Sequence, residues 1–281
     1  MTQFLKHDSG SATILVMGDS LRRKLSSPSP RRLIKAALLS IATLATGTAF
    51  AATTVVTLNG KATDPNSGQL LYTETHQQNY QDGNLTLHTV SYKNPDGNEI
   101  AIKTITYPAA PSTPVFEIND RRSGLQEGAR FLSDGSYQLY ARKSADSKIA
   151  ADTIKLRDNT VVDAGFDRYV AANFDTLLAG ESVPIRFALP SRQADYKFKV
   201  GKAERTTVFG RNAVQVTIRP ASMLLGWLVD KIVLTYDIES RRLLRYEGVT
   251  NIQDDSGEPY KAQITYAPAD NPGLFSASTP R

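Results

Sequence analysis

From residue 53 onward, apolar and polar positions alternate in short runs rather than recurring every third or fourth residue. Residues 53–63, 69–80, 85–93 and 99–107 are rich in Thr, Val, Ile and Tyr, the composition of half-buried strands. Between them stand Asp-Pro-Asn-Ser-Gly, Gln-Asp-Gly-Asn and Asn-Pro-Asp-Gly-Asn, in which Asp82-Gly83 and Asp96-Gly97 supply the positive φ angles of tight hairpins. Three prolines in 108–114 interrupt the pattern. It resumes at 115–118, turns at 120–124, and continues through 136–143 and 149–157.

The period changes at 164–179. Phe166, Tyr169, Val170, Phe174, Leu177 and Leu178 fall on one helical face and Asp167, Arg168 and Asp175 elsewhere, with Asp163 placed as N-cap and Gly180 as stop. Strands follow at 183–189, 196–205 and 213–219. An apolar stretch at 221–229 comes after Pro220, a residue that suits the start of a helix, and strands return at 231–237, 242–247 and 260–267. About a dozen strands joined mostly as consecutive hairpins predict a mainly β (α+β) fold. It is one large curved antiparallel sheet or half-barrel covered by one or two short helices. No repeat or low-complexity linker divides 52–281, so a single domain is expected there.

Ahead of this domain the pattern is that of an export signal. Arg31, Arg32 and Lys35 precede an apolar run that ends in Ala49-Phe50-Ala51, with small residues where a signal peptidase reads them. The run is about 15 residues and is loosened by Ser40, Thr43, Thr46 and Gly47, whereas a membrane span needs ~20. Cleavage after Ala51, with residues 1–51 as signal and extended n-region, and a periplasmic or secreted destination are the expectations. No transmembrane segment is expected in what remains.

Charge changes meaning once that segment is set apart. The whole chain of 281 residues carries 33 Lys+Arg and 28 Asp+Glu, but 1–51 holds seven basic and two acidic residues. The remainder has 26 of each and is formally neutral, so the positive balance is no nucleic-acid footprint and no nucleic-acid partner is expected. Cysteine is absent, which excludes disulfides, thiolate metal sites and a cysteine nucleophile.

Only His76 and His88 remain after residue 51. With Asp82-Gly83 as a two-residue loop, Gln81 faces Asn84, His76 faces Thr89, and the two imidazoles point to opposite sides of the sheet. A shared metal would need a β-bulge to reset the register. No HExxH, Gly-x-Gly-x-x-Gly, phosphate loop or Gly-x-Ser-x-Gly occurs after residue 51, so no catalytic residue, cofactor or metal is expected. A paired-carboxylate hydrolase is the enzyme reading left open by 26 acidic residues.

Two groups carry the binding expectation. Phe166, Tyr169, Val170, Phe174 and Leu177 from the first helix, with Met223, Leu224 and Trp227 from the second, would wall a cavity for a hydrophobic ligand, or else simply cover the sheet. Arg121, Arg122 and Arg130, with Arg242 and Arg245, would hold a polar headgroup or a partner, or else guard sheet edges.

The layout of signal, hairpins, amphipathic helix and late hairpin Lys231-Ile-Val-Leu-Thr-Tyr-Asp-Ile-Glu-Ser-Arg-Arg-Leu-Leu-Arg-Tyr-Glu-Gly248 resembles the periplasmic half-barrel proteins typified by the lipoprotein-localisation (Lol) carriers, and similar uncharacterised exported bacterial families. The resemblance covers most of 52–281 in layout and only this hairpin in residues. It implies a concave apolar cavity for an acyl chain and no catalysis. The expected role is therefore non-catalytic binding of a hydrophobic or lipid-like ligand in the concave face. The rival is a packed cell-envelope module that docks a protein.

Overall fold

The computed structural model describes residues 53–108, 110–201, 203–221 and 231–275. Strands β1 (Thr53–Thr63), β2 (Leu70–Gln81), β3 (Asn84–Lys93), β4 (Glu99–Thr106), β5 (Val115–Asp120), β6 (Gln126–Phe131), β7 (Tyr137–Arg142) and β8 (Ala150–Ile154) pair in sequence order, each antiparallel to the last. This is the meander that the turn residues dictate. At Asp82-Gly83, both with positive φ, Gln81 faces Asn84 across a two-residue turn.

The second arm begins at β9 (Thr160–Val162), followed by α1 (Gly165–Ala172) and α2 (Phe174–Leu178). It continues through β10 (Val183–Leu189), β11 (Ala194–Val200), β12 (Glu204–Val208), β13 (Arg211–Pro220), β14 (Ile232–Asp237), β15 (Leu243–Gln253) and β16 (Pro259–Thr265). β16 pairs with β1 and joins the arms into one sheet of sixteen strands, with β12 attached to β13 alone. β9 is parallel to β10, a departure from the antiparallel expectation.

The sheet is a curved, unclosed barrel. Its path ends at β8 and β9, and the 3-10 turn Pro190–Arg192 that follows β10 packs against β6 and β7, so the two ends meet along a seam. Sixteen strands replace the expected dozen for local reasons. β6 reads Gln-Glu-Gly-Ala-Arg-Phe, a poor strand by propensity, yet the Tyr140 ring lies so close to Gly128 that a Cβ there would sit 2.4 Å from it. The run at 196–205 is two strands, because β11 ends at Val200 and β12 starts at Glu204.

The single helix expected over 164–179 is two. Asn173 breaks it by donating its side-chain amide to the Tyr169 carbonyl at 2.8 Å, which competes with the backbone ladder. Asp163 is not the N-cap; Ala164 is, and Asp163 sits at φ 43° with its carboxylate accepting the Ala164 N–H at 2.7 Å rather than an N–H of the first helical turn. Gly180, at φ 87°, ends the segment as its sequence position requires. Of the second helix expected at 221–229, all but Ala221, and so Met223, Leu224 and Trp227, lie outside the described residues, as do the signal residues Ala49 and Ala51.

Candidate functional site

Curling of the sheet leaves an interior cavity of about 1050 Å³ lined from both arms. That is at the upper end of small-molecule sites, ~300–1,000 Å³. Part of the lining is apolar: Leu58, Leu85, Ile105 and Phe116 from the first arm, with Phe166, Phe187, Phe198 and Leu234 from the second.

Another part of the lining is polar, and a bulge contributes to that. Past the turn, Tyr80 faces Leu85 but Asn79 faces Leu87, leaving Thr86 as the extra residue, its hydroxyl on the Asn79 carbonyl at 3.1 Å. From there His88 faces Gln78 and His76 faces Val90, so both imidazoles turn inward. The expectation of opposite faces fails for this one-residue reason. His76 Nδ1 and His88 Nε2 share a hydrogen bond of 2.9 Å.

The bond belongs to a longer chain. His76 Nε2 lies 2.8 Å from Glu74 Oε2, which also accepts the Tyr266 hydroxyl at 2.7 Å. Gly60 makes that meeting possible, since a Cβ at this position would stand 2.7 Å from the Tyr266 ring and 3.2 Å from the Glu74 carboxylate. Burial alone would raise the Glu74 pKa. The His76 hydrogen bond and charge, the Tyr266 hydroxyl and the Lys103 charge outweigh it and hold the carboxyl below its usual range. With Glu74 a carboxylate, Nε2 of His76 carries the hydrogen it donates. Burial, with the charges of His76, Lys103 and Arg168, pushes His88 well below an ordinary imidazole, so it is neutral near pH 7.

A strut crosses the interior beside this chain. Lys103 Nζ on β4 reaches both oxygens of Asp163 at 3.0 and 2.8 Å, and Asn251 on β15 donates to the same carboxylate at 3.2 Å. Glu127 on β6 faces the same space. Burial and the Asp163 charge raise its pKa to about 7, against the pull of Lys103. From α1, Asp167 and Arg168 also face the cavity. Asp167 is enclosed by protein yet open to that internal space, and burial raises its pKa against Arg168, the Tyr236 hydroxyl and Arg242.

Among the residues singled out from sequence, Phe166 lines the cavity, its ring 6.3 Å from Phe187. Val170, Phe174 and Leu177 are buried in a core cluster with Tyr236 instead, and the Tyr169 hydroxyl donates to the Pro184 carbonyl. The helix thus packs its apolar face on the sheet and offers its charged face to the cavity. Of the arginines, Arg242 lines the cavity. Arg121 pairs with Glu99 at 2.8 Å, Arg130 lies over the Tyr140 ring, and Arg245 reaches Glu247 at 3.5 Å. Arg122 ties Asp120 to the Gln253 carbonyl, clipping the β5–β6 turn to the end of β15.

Sequence reasoning missed Glu74, His76, His88, Lys103, Asp163 and Glu127 as one assembly. A signal existed: Tyr72, Glu74, His76, Gln78 and Tyr80 are alternate residues of β2, and a strand that keeps tyrosines and ionisable groups on one face turns that face to a polar interior. The assembly positions protons and charges. Among the described residues no group of three or more His, Asp or Glu could hold a metal ion.

No family model and no curated protein matches the chain. Among solved structures it is similar to a β-barrel-like protein of a domain of unknown function, DUF1849, from Brucella abortus. The two share 12% identity and a TM-score of 0.43 over 77% of this chain and 96% of that one.

Proposed function

We propose that the chain is exported, loses residues 1–51, and binds a hydrophobic or lipid-like small molecule non-covalently inside the curved sheet, as the half-barrel carriers it resembles in layout would. The observation that carries this is the cavity of about 1050 Å³, with Phe116, Phe166, Phe187 and Phe198 facing it. Each methylene moved from water onto such a wall contributes about 0.8 kcal/mol, so an alkyl chain supplies enough to hold a ligand without a covalent bond.

The test is native mass spectrometry of protein purified gently from a host with a periplasm, followed by organic extraction. A mass beginning at Ala52 with a bound lipid or fatty acid is the expected result. Loss of that mass on substituting Phe187→Glu, with the circular dichroism of the parent retained, assigns it to the cavity. A folded protein that arrives empty and takes up no added hydrophobic probe overturns the binding reading, and retention of residues 1–51 overturns export.

A further inference from the structure

The cavity meets solvent at the seam. Arg142 closes β7 and Lys143 follows it, while Arg192 closes the 3-10 turn that packs across the seam onto β6 and β7. All three line the cavity, and Lys143 and Arg192 are also exposed, which marks this place as an opening.

What separates these three from Lys103 and Arg241, which also line the cavity, is their partners. Arg122, Arg186, Arg211 and Arg241 each hold a carboxylate, on Asp120, Asp195, Asp237 and Asp175. Inside, Lys103 is matched by Asp163. Arg142 donates only to the Gly124 carbonyl, at 3.1 Å, and among the described residues neither it, Lys143 nor Arg192 has a carboxylate within ion-pair distance. Ser144 and Ser191 stand beside them on the lining, and Glu258 is the one carboxylate lining the cavity from the exposed β15–β16 turn. Cations left unmatched at the mouth of a cavity with an apolar wall favour a molecule with an acid at one end and a chain at the other.

Building on the binding reading above, we propose that the ligand is an anionic amphiphile, a long-chain carboxylate or lipid phosphate, whose acid group is held at the seam by Arg142, Lys143 and Arg192 while its chain enters the cavity. Lys103, already matched by Asp163 inside, is not needed to hold the acid group.

The experiment compares dodecanoate, dodecanol and inorganic phosphate on the purified chain by calorimetry at low ionic strength. Dodecanoate is expected to bind at least about tenfold tighter than dodecanol, a difference that salt erodes. The combined variant Arg142→Gln, Lys143→Gln, Arg192→Gln is expected to lose that difference while dodecanol binding stays unchanged. Equal affinity for the two in the parent protein overturns the anionic head and leaves the binding reading standing. Binding of neither overturns that reading as well. Inorganic phosphate bound as tightly as dodecanoate, and lost in the variant, identifies a free anion and overturns the amphiphile.

Discussion

Strands β2, β3, β4 and β16 turn Glu74, His76, His88, Lys103 and Tyr266 toward the interior, whereas the arm from β9 to β14 buries Val161, Ile185, Val200, Val214 and Val216 under Phe166, Val170, Phe174 and Leu177. Both arms belong to one sheet, yet among the described residues only the second is covered by helices. The difference follows from what each sheet face exposes. A face of small β-branched residues needs a second layer to exclude water, and α1 and α2 supply it. A face of ionisable groups and tyrosines satisfies itself through hydrogen bonds and can border an open space. The cavity persists because the polar arm is not packed over.

Substitutions should separate the two arms by mechanism. Phe174→Ala removes a fully buried ring packed 6.2 Å from Tyr236 and should cost about 3–5 kcal/mol in urea unfolding. This loss should be equal at pH 6 and pH 8, since no proton is involved. A loss below about 1 kcal/mol would show that the helical layer can close over the gap. Glu74→Ala acts in the polar arm by stranding the Tyr266 hydroxyl and His76 Nε2, and should cost about 2–3 kcal/mol. Adding Tyr266→Phe should recover part of that cost, because one stranded donor is then gone. No recovery in the double variant would mean the chain of hydrogen bonds contributes nothing as a unit.

Smaller effects come from protons, with opposite signs on two residues that line the cavity. The Glu127 pKa, raised to about 7 from an ordinary value of 4.5, makes the folded state hold a proton that the unfolded state releases. Stability from this group is full below pH 4.5 and falls as pH rises through 7. The lowered His88 works the other way: its contribution is present above pH 6.5 and is lost as pH falls. Glu127→Gln should therefore stabilise the protein by about 1–2 kcal/mol at pH 8 and little at pH 4, read as a shift of the urea midpoint. His88→Gln should flatten the acid side instead. A pH profile unchanged by either variant would place these groups in contact with bulk water.

The hairpins of the first arm and the curved sheet were legible in the chain, and the face that the first arm turns inward was not. Strand β1 coincides with the expected 53–63, and the Asp82-Gly83 turn pairs Gln81 with Asn84 as expected. Hairpin chemistry is local, so sequence carries it. The inward turn of His88 depends on Thr86 bulging out of β3, one residue whose insertion has no marker in composition, and it reverses the face of everything after it. Glu127 was missed because Gly128 disguises β6, and Asp163 because its partners, Lys103 and Asn251, are 60 and 88 residues away in the chain. The apolar helix face announced burial but not what it would be buried against; Phe166 alone of its large residues reaches the cavity.

The smallest expected effect tests the border between the arms. Arg241, in the turn after β14, lies 5.1 Å over the Phe174 ring and 2.8 Å from Asp175, and so joins a charge of the cavity lining to the helical layer. Asp175 is 76% exposed, so that ion pair contributes little in water, and most of the effect should come from the ring contact. Arg241→Ala should cost about 0.5–1 kcal/mol, largely insensitive to salt. Arg241→Gly should cost less, because the residue stands at φ 55°, where glycine has no Cβ to strain. If Arg241→Gly instead costs the more, the backbone freedom that glycine adds to the unfolded chain outweighs the strain relieved at φ 55°, and the loss in Arg241→Ala remains the measure of the contacts that fasten the helices to the sheet.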